Sequence, residues 1–262
     1  MGKRDSYEPG TFCSVDLATT DADGAKSFYG GLFGWEGEDV HPAEGITYTI
    51  LRLDGDAVGG MFERDGLEEL GGAHWACYVS VESADDTARR AAELGGEVVE
   101  EPFDILDVGR MAAIMDPTGS GVPVWQAGTY AGATRVNEPG FLTWNELATN
   151  DTSAAIAFYE GLFGWSTQPM GTGTGPEYNV VRVGERGNGG IRALTPQEEQ
   201  AGMGPYWFPY FAVESLDASF ESCEELGGLK LFGPIEFPAG QIGGLRDPQG
   251  AMFAIWEGEL ED

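Results

Sequence analysis

Histidine is nearly absent from this chain: 262 residues contain two, His41 and His74. Cysteine occurs at Cys13, Cys77 and Cys223, an odd number with no C-x-x-C spacing. That excludes a disulfide framework and a zinc ribbon, and leaves buried small thiols in a reducing compartment as the expectation. Basic residues are scarce as well, with 14 Lys and Arg against 44 Asp and Glu and a net charge of −30. Lysine stands only at Lys3, Lys26 and Lys230, so there is no basic patch to neutralise a phosphate backbone, which argues against nucleic acid and anionic membrane as partners. Such acidity keeps a surface solvated, and it also steers a cationic ligand inward. No apolar run approaches the 18 or so residues of a membrane span, and no apolar stretch follows a basic start, so a cytoplasmic location is expected. No G-x-G-x-x-G, P-loop or nucleophile elbow is present, and GTGTG at 171–175 reads as a loop that opens no helix.

What the chain does have is a repeat. Residues 18–35 read ATTDADGAKSFYGGLFGW and residues 148–165 read ATNDTSAAIAFYEGLFGW. In each copy the apolar residues fall at helical spacing: Ala25, Phe28, Tyr29, Leu32 and Phe33, then Ala155, Phe158, Tyr159, Leu162 and Phe163. Asp21 and Asp151 stand where an N-cap carboxylate accepts from free backbone N–H groups, and Gly34 and Gly164 supply a left-handed stop.

The segments around these helices alternate as strands do. TFCSVDLAT puts Cys13, Val15 and Leu17 on one face, which should meet Phe28 and Leu32, and turns Ser14 and Asp16 the other way. ITYTILRLDGDAVGGMF reads as a hairpin reversing at Asp54-Gly55. A strand over HWACYVSVES, a helix from Ser83 to Leu94, strands near 97–101 and 110–115, an Asp116-Pro117-Thr118-Gly119 turn and a strand GVPVWQ follow. The second half repeats this order, with a helix from Ser215 to Leu226 and the turn Asp247-Pro248-Gln249-Gly250. The predicted fold is α+β: a polar leader at 1–9, one domain at 10–128, a linker at 129–138 and a second domain at 139–258, each domain two βαβββ modules forming a curved mixed sheet around a cleft. Similar halves suggest a pseudo-dimer within one chain.

The N-capped D-x₆-FY-x₃-FGW helix, the V-E-S-x-D junctions at Val81–Asp85 and Val213–Asp217, the ELGG stops and the DPxG turns together resemble the vicinal oxygen chelate superfamily of glyoxalases, extradiol dioxygenases and bleomycin-resistance proteins. Nearly the whole chain is covered, in the tandem two-domain form found in actinobacteria. The resemblance implies a pocket on the concave face of each sheet, where metal-using members hold His or Glu at four positions. Counted onto this chain, those positions are Ser14, Gly60, Ala76 and Pro123 in the first half, and Trp144, Gly190, Phe208 and Ala254 in the second. One serine hydroxyl is the only usable donor, and both histidines fall elsewhere, so no metal and no other cofactor is expected.

Strand parity carries the same face to the residues two positions on: Asp16, Tyr78 and Trp125, then Glu146, Tyr210 and Trp256. The candidate ligand-binding set is therefore Ser14, Asp16, Tyr78, Trp125, Trp144, Glu146, Phe208, Tyr210 and Trp256, with Asp16 and Glu146 as candidate catalytic groups. Aromatic residues on a strand are also ordinary core, and duplication would preserve core as well. Two roles stay open for the constellation. A carboxylate among rings can hold a cationic organic ligand, binding or sequestering it. A carboxyl raised in pKa by burial can act as general base in a metal-independent lyase or isomerase on an α-oxo compound. A protein-interaction role is the third alternative. Arg52 and Arg182 read as ligand-carboxylate anchors or strand-edge arginines, and His74 as a pocket-mouth or surface residue.

Overall fold

The computed structural model describes residues 2–67, 72–171 and 177–260; all but the first residue of the proposed loop at 171–175 and part of the polar stretch before His74 lie outside them. Sixteen strands and five helices alternate along the described chain. The first half runs β1 (Phe12–Thr19), α1 (Ala22–Phe33), β2 (Glu36–Ala43), β3 (Ile46–Leu53), β4 (Asp56–Glu63), β5 (His74–Ser80), α2 (Ala84–Glu93), β6 (Glu97–Ile105), β7 (Gly109–Met115) and β8 (Gly121–Ala127). The second runs β9 (Leu142–Thr149), α3 (Thr152–Phe163), β10 (Ser166–Met170), β11 (Tyr178–Val183), β12 (Arg186–Ala193), α4 (Pro196–Gln200), β13 (Tyr206–Ala212), α5 (Leu216–Glu225), β14 (Leu229–Phe237), β15 (Gly240–Arg246) and β16 (Met252–Gly258).

Each half folds into one eight-stranded mixed sheet, in the orders β2-β3-β4-β1-β5-β8-β7-β6 and β10-β11-β12-β9-β13-β16-β15-β14. The first strand of each module pairs parallel with its last, β1 with β4 and β5 with β8, and the modules join through antiparallel β1 and β5. Both sheets therefore carry the strand richest in site residues at their centre.

The repeated helices form for the reasons their sequences give. Asp21 Oδ1 accepts from the Gly24 N–H at 2.9 Å, Asp151 Oδ1 from Ala154 at 2.9 Å, and Gly34 and Gly164 close the helices in the left-handed region. Their partners are not only their own sheets. Helix α1 packs on α5 of the other half and α3 on α2, and one continuous apolar core spans both halves. Gly31 leaves the space into which Leu226, from the second ELGG, projects, and Gly161 does the same for Leu94. The glycine in FYxGLFGW is thus a socket for the opposite half.

The tyrosine of that motif is the clasp. Trp75 Nε1 donates to the Tyr29 hydroxyl at 3.0 Å, which donates to Asp247 Oδ2 at 3.0 Å across the interface. Trp207, Tyr159 and Asp116 repeat the chain at 2.8 and 2.9 Å. Asp247 Oδ1 meanwhile accepts from the N–H groups of Gln249, Gly250 and Ala251, so the DPxG aspartates both shape their turns and fasten the halves. Burial pushes the Asp247 carboxyl above its ordinary pKa. Tyr29→Phe would strand a buried indole N–H and a buried carboxylate oxygen, and should lower unfolding free energy by about 1–3 kcal/mol in urea titration. A loss indistinguishable from zero would mean that water reaches this contact.

Three features depart from the sequence expectations. Strands β2 and β10 had no alternation to reveal them, since Glu36–Ala43 is largely exposed on both faces at a sheet edge. Helix α4 is a single extra element with no expected counterpart. The segment assigned as linker is laid against the first half: Ala133 N–H donates to Cys13 O, Thr134 N–H to Ala57 O, and Tyr7 of the leader donates to Ala133 O at 2.6 Å. Among the described residues no helix is long and apolar enough to cross a membrane.

Candidate functional site

Strand β1 presents Asp16 on the face opposite Val15 and Leu17, beside Gly60 of β4 and Ala76 of β5. Asp16 is 9% exposed. The Tyr48 hydroxyl donates to Asp16 Oδ1 at 2.8 Å, Tyr78 is hydrogen-bonded to the same carboxyl, and the Gly60 N–H supports it. Gly60 has to be glycine here, because a Cβ would occupy the place of the Tyr48 hydroxyl. Burial raises the Asp16 carboxyl to about 6, against the lowering pull of these three donors. Trp125 from β8 closes one side. Its ring meets Tyr78 and Tyr130 edge-on with centroids at 6.4 and 6.2 Å, and its Nε1 donates to Tyr130 O at 2.9 Å. The Tyr130 hydroxyl is hydrogen-bonded with Ser14. Among the described residues, no Lys, Arg or His pairs with Asp16.

The second half builds the same floor and furnishes it differently. Glu146, 4% exposed, lies between Gly190 and Phe208 on β9. Tyr210 donates to its Oε2 at 2.7 Å and Tyr178 is also hydrogen-bonded to it, while Trp144 Nε1 donates to the Tyr178 hydroxyl at 2.8 Å. The difference is Arg192, whose Nε donates to Glu146 Oε1 at 2.7 Å. Its two terminal nitrogens donate to both oxygens of Glu198 at 2.7 and 2.8 Å, and its guanidinium carbon stands 5.9 Å from the Phe208 ring centre. Glu198 is the third residue of α4 and completes a capping box with Thr195; Tyr206 also donates to it at 2.6 Å. Burial works against that charge, yet Arg192, Tyr206 and the Thr195 N–H hold the Glu198 carboxyl down at about 2.

The structure thus brings Ser14, Asp16, Tyr78 and Trp125 together, and Trp144, Glu146, Phe208 and Tyr210 together. Trp256 stands apart: its ring covers Gly240 and Gly258 and its Nε1 donates to Glu259 O at 3.0 Å. Sequence reasoning missed Tyr48, Tyr178, Tyr130, Arg192, Glu198 and Tyr206. Parity would have found Arg192, two residues after Gly190, and the T-x-x-E spacing at Thr195–Glu198 would have found α4. Tyr130 gave no signal, because it lies in a segment without periodicity. Arg52 pairs with exposed Glu38 and Arg182 donates to Glu185 O, as strand-edge arginines do. His74 is exposed, with Nδ1 2.9 Å from Gly72 O. Cys13 and Cys77 are buried with thiols pushed far up by burial, which makes them inert. A shallow cleft of about 290 Å³ between α2 and β6, lined by Asp85, Arg89, Val98 and Pro102, lies on the helix side and contains no aromatic wall.

The fold and the two cupped faces define a tandem member of a known class. The sequence model of the Glyoxalase/Bleomycin resistance protein/Dioxygenase superfamily matches twice, at residues 11–124 and 141–255, and the chain belongs to that superfamily. It is 38% identical over 258 residues to "Putative glyoxylase CFP32" of Mycobacterium tuberculosis, covering 97% of both chains. It is 31% identical over 264 residues to the anthracycline biosynthesis protein DauV of Streptomyces sp. (strain C5), covering 96% of this chain and 94% of that one. Among solved structures, the Mn(II)-bound glyoxalase of Novosphingobium aromaticivorans shares the fold, with a TM-score of 0.67 at 17% identity over 100% of this chain and 84% of that one.

Relatives of this fold include metal enzymes, so the donors present here bear on whether a metal fits. Ser14, Gly60, Ala76 and Pro123, and Trp144, Gly190, Phe208 and Ala254, supply one hydroxyl between them. Among the described residues no three His, Cys, Asp or Glu side chains converge at metal-binding distance. A zinc-type centre takes three or four such ligands, so this donor set does not suit one.

Proposed function

We propose that the chain binds a small aromatic organic cation in the first pocket without a metal, its charge on Asp16 and its flat body against Tyr48, Tyr78, Trp125 and Tyr130. The observation that carries this reading is a buried aspartate, ringed by aromatic side chains and, among the described residues, lacking a cation of its own. At neutral pH, above its value of about 6, that carboxyl is mostly ionised, and a buried anion without a counterion attracts one. Stacking on tyrosine and tryptophan adds about 1 kcal/mol per cation–π contact. The relatives named for anthracycline biosynthesis agree with a flat aromatic ligand, and the net charge of −30 favours the approach of a cation.

A second reading has one observation of its own. A carboxyl with a pKa of about 6 beside two tyrosine hydroxyls is poised for proton transfer, as a metal-independent lyase or isomerase on an α-oxo compound would need. A thermal-shift panel separates the two, using 9-aminoacridine and benzamidine against α-oxo acids and their thioesters, with mass spectrometry of the recovered compound. Stabilisation by the cations with compound recovered unchanged is the expected result. Turnover of an α-oxo compound would favour the second reading, and no shift with any cation would overturn the first. Affinity for the cations should also fall as pH drops through about 6, because protonation of Asp16 removes the counter-charge.

A further inference from the structure

Both pockets share a plan: a carboxylate on the central strand, a glycine beside it, a hairpin tyrosine laid over that glycine and a second tyrosine from the neighbouring strand. They differ in what stands over the carboxylate. In the second pocket it is the planar guanidinium of Arg192, held edge-on by Glu146 at 2.7 Å and by both oxygens of Glu198, and close to the Phe208 ring. In the first, the matching position two residues after Gly60 is Phe62, which has no charge. An arginine fork is planar and delocalised, and two parallel N–H···O bonds to a carboxylate use that shape in a way a compact ammonium cannot.

We propose that the second pocket is a site for a planar delocalised cation, an amidinium or guanidinium, which the chain fills with its own Arg192. The first pocket then takes the same class of cation from outside, and each chain binds one ligand. This last clause rests on the function proposed above; the assignment of the second pocket does not.

Calorimetric titration with benzamidine counts the sites. Wild-type protein should bind one benzamidine per chain, and Arg192→Ala two. Arg192→Ala with Glu146→Gln should return to one site, and Arg192→Ala with Asp16→Asn should keep only the new one. If Arg192→Ala does not fold, its refolding yield takes the place of the count: rescue by benzamidine and not by an equal concentration of methylammonium is expected, and no rescue would overturn the proposal. Equal stoichiometry in wild type and Arg192→Ala would overturn the proposal, as would a second site indifferent to Glu146→Gln. No binding to wild type with one site in Arg192→Ala would uphold the second-pocket assignment and refute the reading of the first pocket.

Discussion

Arg192→Ala should destabilise the protein by about 3–5 kcal/mol, the largest effect expected of a single substitution at either pocket. Arg192 is the only cation hydrogen-bonded to Glu146 and Glu198 among the described residues, and its side chain is 12% exposed. Removing it leaves two carboxylates, exposed 6% and 16%, facing each other across the space it vacates. Truncating one partner of a buried pair costs far more than the pair contributes, because the remaining charge keeps its desolvation penalty. Arg192→Lys should recover only part of the loss, since one ammonium cannot replace a fork that bridges two carboxylates. The network also sets an acid limit. Glu198 has its folded pKa lowered to about 2, so the stability it confers is fully present above the ordinary carboxylate value near 4.5 and is lost as pH falls toward 2. Urea titrations at pH 7 and pH 3 test both statements. A loss below about 1 kcal/mol would show that solvent, and not Arg192, satisfies Glu146.

Asp16→Asn should act in the opposite direction, raising stability while abolishing cation binding. The Asp16 carboxyl is raised from 3.8 to about 6 by burial, so the folded state takes up its proton more readily than the unfolded chain does. For a carboxyl raised on folding, stability declines as pH climbs from about 4 to about 6, then stays level at the lower value. Two pKa units correspond to at most about 3 kcal/mol. The asparagine amide must find acceptors where the carboxylate had donors, so a net gain of about 1–2 kcal/mol is expected, or about 2–6 °C in Tm for a chain of this size. The stability profile of the variant should be flatter than wild type between pH 4 and 6. A Tm lowered at neutral pH would show that the ionised carboxylate stabilises the fold and is not held there at a cost to it. The same residue would then be a structural keystone instead of a waiting counterion.

Most of the architecture could be read from sequence because its signals are local. The N-caps Asp21 and Asp151, the stops Gly34 and Gly164 and the DPxG turns act within a few residues, and their duplication sets the period. Strand parity also set Asp16 and Glu146 on the face turned away from the helices, since a strand's alternation runs its whole length. What parity could not supply was the charge state of the two floors. Asp16 and Glu146 look alike in sequence, yet among the described residues one has no counterion and the other pairs with Arg192, which is itself fixed by Glu198 from a five-residue helix. Parity could place Arg192 and the T-x-x-E spacing could place α4, but their meeting over Glu146 depends on β12 lying beside β9, a contact between strands distant in sequence. The same limit hid the purpose of the FYxGLFGW helix. Its amphipathic face was legible, but the residues it meets, Asp247, Phe253 and Leu226, belong to the other half. Tyr130 escaped for a related reason: it serves the first pocket from a segment whose course is set by hydrogen bonds to β1, β4 and the turn at Val108.

The most direct test of the central claim is a fluorescence titration of 9-aminoacridine into protein dialysed against EDTA, at pH 7.5, for wild type and Asp16→Asn. Saturable binding at one site per chain, unaffected by the chelator and at least about tenfold weaker in the variant, is the result expected of a counterion bound to a buried carboxylate. Binding that needs an added divalent metal, or that is equal in both proteins, would contradict it.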